Sequence, residues 1–334
     1  MTPIKNYIYA LILPIFCFAS SPFRADEKPD VIIAKPNVLR PAQQRPDNPR
    51  QNPTANAILE NVHVFKDIEY AKPGARAQSL DVFVPKNATG KMPLIIWIHG
   101  GGWINGNKEN CPVVDFTARG YVVASINYRL SGAAIFPAQI IDCKSAIRFL
   151  RVNAEKYQID PNHVGVWGSS AGGHLAALVG TTGDVKEFDQ GDNLSISSKV
   201  QAVVDYFGPT DFLKMDSNGL PDAKMKHDIP TSPESRLIGG PITENKDKVA
   251  KANPITYITK DTPPFYIAHG DRDPTVAPHQ SQLIHDALKA ANVPADLYWV
   301  KGAGHGGPQF FARGELKDAV TAFWDKHLKV VEKH

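Results

Sequence analysis

Three residue types, far apart in the chain and each set in a glycine-marked turn, could together carry nucleophilic chemistry: Ser170, Asp273 and His305. Ser170 stands in Gly168-Ser169-Ser170-Ala171-Gly172, after an apolar run ending at Trp167 and before a stretch rich in small residues. A turn that tight between strand and helix needs glycine where a β-carbon would strike neighbouring backbone. It holds the hydroxyl above the sheet edge with a helix N-terminus behind it. A serine hydroxyl is a poor nucleophile until a base takes its proton. His305, in Gly302-Ala303-Gly304-His305-Gly306-Gly307, is the candidate base. Asp273, in His269-Gly270-Asp271-Arg272-Asp273-Pro274, is the candidate acid that fixes the imidazole tautomer and stabilises the imidazolium.

The choice among neighbours follows from context. Asp271 could also reach His305, but it comes directly after Gly270, where the chain is still turning, and it suits a loop-holding role through backbone N–H groups. Pro274 stiffens the chain right after Asp273, which favours an ordered, buried carboxylate there. Of the histidines, His174 sits one helical turn after Ser170 and reads as a buried helper, and His269 reads as structural. The glycine run His99-Gly100-Gly101-Gly102-Trp103 would aim two backbone N–H groups into a cavity. With the amide of Ala171 they could stabilise a tetrahedral oxyanion, at ~3 kcal/mol per donor. His99 itself is expected to brace that loop, and Trp103 to bind substrate in a short acyl pocket.

These residues must be brought to one edge of a scaffold. Val62 to Ala71 and Ser79 to Val84 alternate as half-buried strands do. Continuous apolar runs follow at Leu94 to Ile98, Tyr121 to Ile126, Val164 to Trp167, Val200 to Phe207, Phe265 to Ala268 and Ala295 to Val300. Such runs fit parallel strands buried on both faces. Helical spacing between them, as in Ile140, Ile141, Ala146, Ile147 and Leu150, gives an α/β fold with a mostly parallel central sheet and helices on both faces. All three candidate residues then fall at carboxyl ends of strands, where such sheets bind ligands.

With 334 residues and 43% hydrophobic content the chain can build one large domain, expected over 58–334. The net charge of +3 is small and the Lys and Arg residues are scattered, which excludes a nucleic-acid footprint. Residues 1–25 read as a secretory signal peptide: Lys5, then an apolar run from Tyr7 to Ala19 that is too short for a membrane span. Secretion or delivery to the periplasm is therefore expected. Phe16 before Cys17 argues against a lipoprotein anchor. Residues 26–57, with Pro29, Pro36, Pro41, Pro46, Pro49 and Pro53, read as a disordered tether. Cys111 and Cys143 are placed on helices over opposite sheet faces and read as separate thiols. No metal-ligand spacing is present, and no cofactor is expected. The acidic stretch Asp184 to Asp192 reads as a solvated loop, and Thr210 to Lys260 as a polar rim near the site.

At these residues the chain resembles the HGGG-type esterases related to hormone-sensitive lipase, which share the α/β-hydrolase fold and the order Ser, Asp, His. It is similar in particular to bacterial acetylxylan and feruloyl esterases. That likeness is carried by Asn127-Tyr128-Arg129-Leu130, the Pro137 to Leu150 helix, Gly168 to Ala177, Phe207-Gly208-Pro209-Thr210-Asp211, Ala252-Asn253-Pro254-Ile255 and the His269 to Asp273 loop. The resemblance implies an oxyanion hole formed by Gly101, Gly102 and Ala171. Many lipase-like members carry an acidic residue before the serine; Ser169 stands there, on the carbohydrate-esterase side. The expected activity is hydrolysis of short acyl or feruloyl esters on plant polysaccharides through an acyl-enzyme. A formamidase or small-amide hydrolase with the same triad, and an inactive hydrolase scaffold used for binding, are the competing readings. Fold analogy alone does not choose a substrate.

Overall fold

The computed structural model describes residues 58–71 and 78–329. The expected signal peptide and tether, residues 1–57, lie outside the described residues. Eight strands form one sheet: β1 (Val62–Glu69), β2 (Ser79–Pro85), β3 (Met92–Ile98), β4 (Val122–Ile126), β5 (Ile159–Ser169), β6 (Ala202–Tyr206), β7 (Phe265–Gly270) and β8 (Ala295–Val300). Their order is β1-β2-β4-β3-β5-β6-β7-β8. The first hairpin and the β2–β4 pair are antiparallel, and every pairing from β4 to β8 is parallel.

Continuous apolar strands follow from two-sided burial. Leu94, Ile96 and Ile98 of β3 enter one core cluster, while Ile95 and Trp97 enter the other. Helices α1 (Ala138–Val152), α2 (Ala171–Thr181) and α5 (His279–Ala290) cover the first face through Ile140, Ile147, Leu175, Leu178, Ile284 and Leu288. Helix α6 (Glu315–Leu328) and the short turn Val114–Arg119 cover the second through Phe116, Val320, Phe323 and Trp324. Cys143 lies buried on α1 in the first layer, and Cys111 packs against the second; both are free thiols. Cys111 is in the loop before Val114–Arg119, not on a helix as expected.

Two surface expectations are corrected. The Thr210 to Lys260 stretch contains α3 (Pro233–Ile238) and α4 (Lys246–Ala252), and Phe212, Met215, Leu237, Ile238, Ile242 and Val249 are buried in the first core layer. Its apolar residues are too widely spaced to show a period, yet they pack as part of the domain. In the acidic stretch, Asp189 is an anchor: its carboxylate lies 3.0 Å from Lys144 Nζ and 3.2 Å from Arg148 Nη1, both buried on α1. Buried cations require such a partner, and only tertiary packing reveals it.

Candidate active site

Strand β5 delivers Ser170 at its carboxyl end. The residue adopts φ 54°, ψ −124°, a strained conformation held by Ser170 N–H donating to Tyr206 O at 2.8 Å and by Ser170 O accepting from His174 N at 3.0 Å. The two flanking glycines answer steric need. A β-carbon on Gly168 would lie 2.0 Å from Gly172 O, and one on Gly172 2.0 Å from Ile98 O. Close approach of helix α2 to β3 and β5 thus requires glycine on both sides of the serine.

The loops after β7 and β8 complete a chain of hydrogen bonds. Ser170 Oγ lies 2.9 Å from His305 Nε2, and His305 Nδ1 lies 2.7 Å from Asp273 Oδ2. With Nδ1–H donating to the carboxylate, the Nε2 lone pair faces the serine hydroxyl and can accept its proton. Phe207 packs edge-on to the His305 ring at 4.9 Å and limits its rotation. Asp273 is fully buried. Its Oδ1 accepts from Thr275 N at 2.8 Å and Val276 N at 3.0 Å. Burial alone would raise this carboxyl; the bonds from His269 and His305 outweigh it and hold the group well below the ordinary carboxylate range. Asp271 points elsewhere and accepts from Gly302 N at 2.7 Å, tying the β7 loop to the β8 loop.

His269 has a closer connection to this chain than its sequence position suggested. Its Nε2–H reaches Asp273 Oδ2 at 3.2 Å and Val276 O at 3.1 Å, while Ser281 Oγ donates to Nδ1 at 2.7 Å. The Asp273 carboxylate is therefore gripped by two imidazoles. The signal that could have found this is the four-residue spacing from His269 to Asp273 across a tight turn.

The glycine loop after β3 folds against the nucleophile: a β-carbon on Gly100 would meet Ser169 O at 2.8 Å and Ser170 Cβ at 3.3 Å. Gly101 (φ 112°), Gly102 (φ 58°) and Trp103 (φ 56°) run consecutively in the left-handed region. Gly101 O accepts from Ile104 N and Asn105 N at 3.0 and 3.1 Å, closing the turn. Among the described residues, the amides of Gly101, Gly102 and Ala171 donate to no protein acceptor. Such free donors beside Ser170 can receive a developing oxyanion. His99 donates from Nδ1 to Gly100 O at 2.7 Å and stacks on Tyr128 at 4.4 Å, whose hydroxyl donates to His99 O. Burial lowers the His99 imidazole to about 4, so it stays neutral.

Trp103 is placed differently from the expectation of a substrate-binding ring. It is 1% exposed and packs on His174 at 5.1 Å and Phe212 at 5.5 Å, beneath the loop. Its positive φ turns the side chain inward, an effect of the glycine turn that spacing does not show. His174 is fully buried, donates from Nε2 to Ala252 O at 2.7 Å, and is lowered by burial to about 4. Beside Gly100 and Ser169 opens a cleft of about 540 Å³. Through Glu109, Cys111 and Pro112 it shares a wall with a larger cleft of about 1150 Å³ that extends to Arg119, Phe311 and Arg313. Among the described residues no His, Cys, Asp and Glu cluster could hold a metal ion, and no helix is long and apolar enough to cross a membrane.

The BD-FAE family model matches residues 80–288, which include Ser170 and Asp273. The chain is similar to a probable carboxylic ester hydrolase, LipM, of Mycobacterium tuberculosis: 32% identity, covering 70% of this chain and 53% of LipM. The chain spans just over half the length of the curated Mycobacterium tuberculosis relatives it matches. Among solved structures, it is similar to a truncated carbohydrate esterase from gut microbiota, with a TM-score of 0.72 and 34% identity over 79% of this chain and 96% of that one. A bifunctional GH43-CE protein of Bacteroides eggerthii gives a TM-score of 0.71 and 35% identity over 80% of this chain and 38% of that one.

Proposed function

As the chain belongs to the BD-FAE family, we propose that it is a serine carboxylic ester hydrolase acting on acylated carbohydrate, with short acyl or feruloyl esters of plant polysaccharide as its substrates. The observation that carries the reading is the continuous chain Ser170 Oγ, His305, Asp273, with bonds of 2.9 and 2.7 Å. In this mechanism His305 Nε2 takes the Ser170 proton as Oγ attacks the ester carbonyl. Asp273 stabilises the imidazolium that forms. The amides of Gly101, Gly102 and Ala171 bind the oxyanion of the tetrahedral intermediate. Protonated His305 then gives its proton to the departing sugar oxygen, which leaves as a hydroxyl, and an acyl-Ser170 remains. Water, deprotonated by the same imidazole, attacks the acyl carbon and releases the acid.

Carbohydrate as the alcohol side is supported by the carbohydrate esterase neighbour at 34% identity. The apolar run Tyr7 to Ala19 extends the reading to an exported enzyme, with the catalytic domain at 58–334 behind a Pro-rich tether. Cell fractionation tests that part.

The purified protein should release acid from acetylated xylan or methyl ferulate, and Ser170→Ala should abolish both turnover and labelling by a fluorophosphonate probe. Ser169→Ala is the control. Full labelling of the Ser170 variant would remove the nucleophile assignment. Turnover of N-formylkynurenine with none of either ester would overturn the substrate class.

A further inference from the structure

The segment between β6 and β7 carries an ion pair that the mechanism above does not use. His227 and Glu234 are 4% and 3% exposed, and His227 Nδ1 lies 3.0 Å from Glu234 Oε2. Both the contact and the opposite charges favour the pair. A carboxylate buried to that degree needs a counter-charge, and His227 is the cation within reach. On its other side His227 Nε2–H donates to Thr275 O at 3.0 Å.

Each partner of this pair sits next to one half of the reaction machinery. Thr275, whose carbonyl His227 holds, donates its own N–H to the triad carboxylate, to Asp273 Oδ1 at 2.8 Å. The adjacent Pro274 O accepts from Lys224 N at 2.8 Å, a second tie from the same segment. Glu234 is the second residue of α3, after the N-cap Ser232, whose Oγ accepts from Ser235 N at 3.0 Å. Its neighbour Pro233 lies against the oxyanion loop: a β-carbon on Gly102 would sit 3.3 Å from Pro233 Cβ. Hydrogen bonds and the ion pair thus run from Asp273 through Thr275 and His227 to Glu234, whose neighbour Pro233 faces the open side of Gly102. This connection passes around Ser170 and joins the two loops whose relative position decides whether base and oxyanion donors meet one carbonyl.

We propose that His227 and Glu234 are positioning residues, a buried ion pair that locks the acid loop and the oxyanion loop in mutual register for turnover. The proposal rests on the triad and oxyanion assignments made above.

The charged groups around His227 are Glu234 from α3 and Asp216, Asp228 and Lys226 from its own segment, with Asp273 lining the same small cavity. Asp216 accepts the backbone N–H of His227 at 3.0 Å and of Asp228 at 3.0 Å, which fixes the start of the bridge. Burial pulls the His227 imidazole down, but Glu234, the Thr275 carbonyl and Asp216 outweigh it and raise the group above the ordinary histidine value. A histidine so raised keeps its charge to higher pH than an ordinary one, and the lock weakens as pH climbs through its folded value.

The test compares wild type, His227→Leu, His227→Gln and Glu234→Gln on 4-nitrophenyl acetate. Turnover is normalised to sites titrated by a fluorophosphonate, and melting temperature and a pH profile are recorded for each. Misplacement of a reacting group by about 1 Å costs up to ~10²-fold, so His227→Leu should lower kcat by roughly ten- to a hundredfold, with KM within about twofold. His227→Gln, which keeps an N–H for Thr275 O, should recover most of that loss. Glu234→Gln should move the alkaline fall of kcat to lower pH. If the variants melt lower but keep wild-type kcat per titrated site and the wild-type pH profile, the pair is structural only and the proposal fails. Should His227→Leu not fold, the pH profile of Glu234→Gln decides alone. Absence of wild-type turnover would count against ester hydrolysis itself, whereas loss confined to the variants bears on the pair.

Discussion

The two loops that meet over Ser170 are built on opposite principles. In the acid loop, polar capacity is filled: Asp273 accepts four hydrogen bonds, two from backbone amides and two from imidazoles, in a fully buried setting. In the oxyanion loop, three successive residues at positive φ leave amide donors unbonded among the described residues. The first arrangement fixes one charge permanently. In the proposed mechanism the second holds dipoles ready for a charge that exists only during reaction, where they act without reorganising. A catalytic site needs saturation where a group must stay put and vacancy where a group must appear.

The largest effect should come from breaking the saturated loop. Asp273→Asn should lower turnover by ~10³–10⁴-fold, the size seen when a triad acid is neutralised and the tautomer is lost. Asp271→Asn, which touches only the Gly302 N–H tie, should cost melting temperature and little turnover. Kinetics and thermal melts on both variants check this; an inactive, well-folded Asp271→Asn beside an active Asp273→Asn would reverse the assignment. Next comes the vacant loop. A β-carbon on Gly101 would lie 2.2 Å from Asn105 O at a φ of 112°, so Gly101→Ala must shift the donors. A loss of ~10²–10³-fold in kcat is expected, the scale of one lost oxyanion donor. Unchanged kcat would show that Gly101 is a hinge only.

A smaller effect sharpens the comparison within the acid loop. His269→Leu removes one of four bonds to Asp273 and leaves the His305 bond in place. Turnover should fall about tenfold, since a hydrogen bond to a charged group is worth ~1.5–3 kcal/mol and the remaining three still orient the carboxylate. A loss as large as that of Asp273→Asn would mean that His269 does more than orient.

The smallest effect is read in stability against pH. His99 and His174, beside the oxyanion loop, are held neutral by burial with values near 4, while the unfolded chain protonates them below about 6.5. Their contribution is therefore lost as pH falls from about 6.5 to 4. Asp205 acts in the opposite sense. Burial raises its carboxyl to about 7, so the folded chain binds a proton that the unfolded chain releases above about 3.8, and stability falls as pH rises across that window. Asp205→Asn removes this opposing contribution, and its melting temperature should drop more steeply on acidification than that of wild type. Parallel slopes would show that Asp205 is already ionised in the fold.

The sequence by itself determined the α/β sheet, the strand-edge placement of Ser170, Asp273 and His305, and the glycine loop beside them. Those features are written in local grammar: apolar runs of strand length, glycines where backbones nearly touch, and proline next to the buried acid. It could not show that Trp103 turns into the core, because a side chain's direction at positive φ depends on the turn that encloses it. It could not show that His269 shares the triad carboxylate, or that Asp189 faces two buried cations from α1. It gave no hint that the apolar residues of 210–260 complete the core and carry His227 and Glu234 between the two loops. Such contacts join residues that share no period and no neighbourhood in the chain. They exist only once the sheet edge, the helices and the long segment after β6 compete for the same buried volume, and tertiary packing decides which side chains meet.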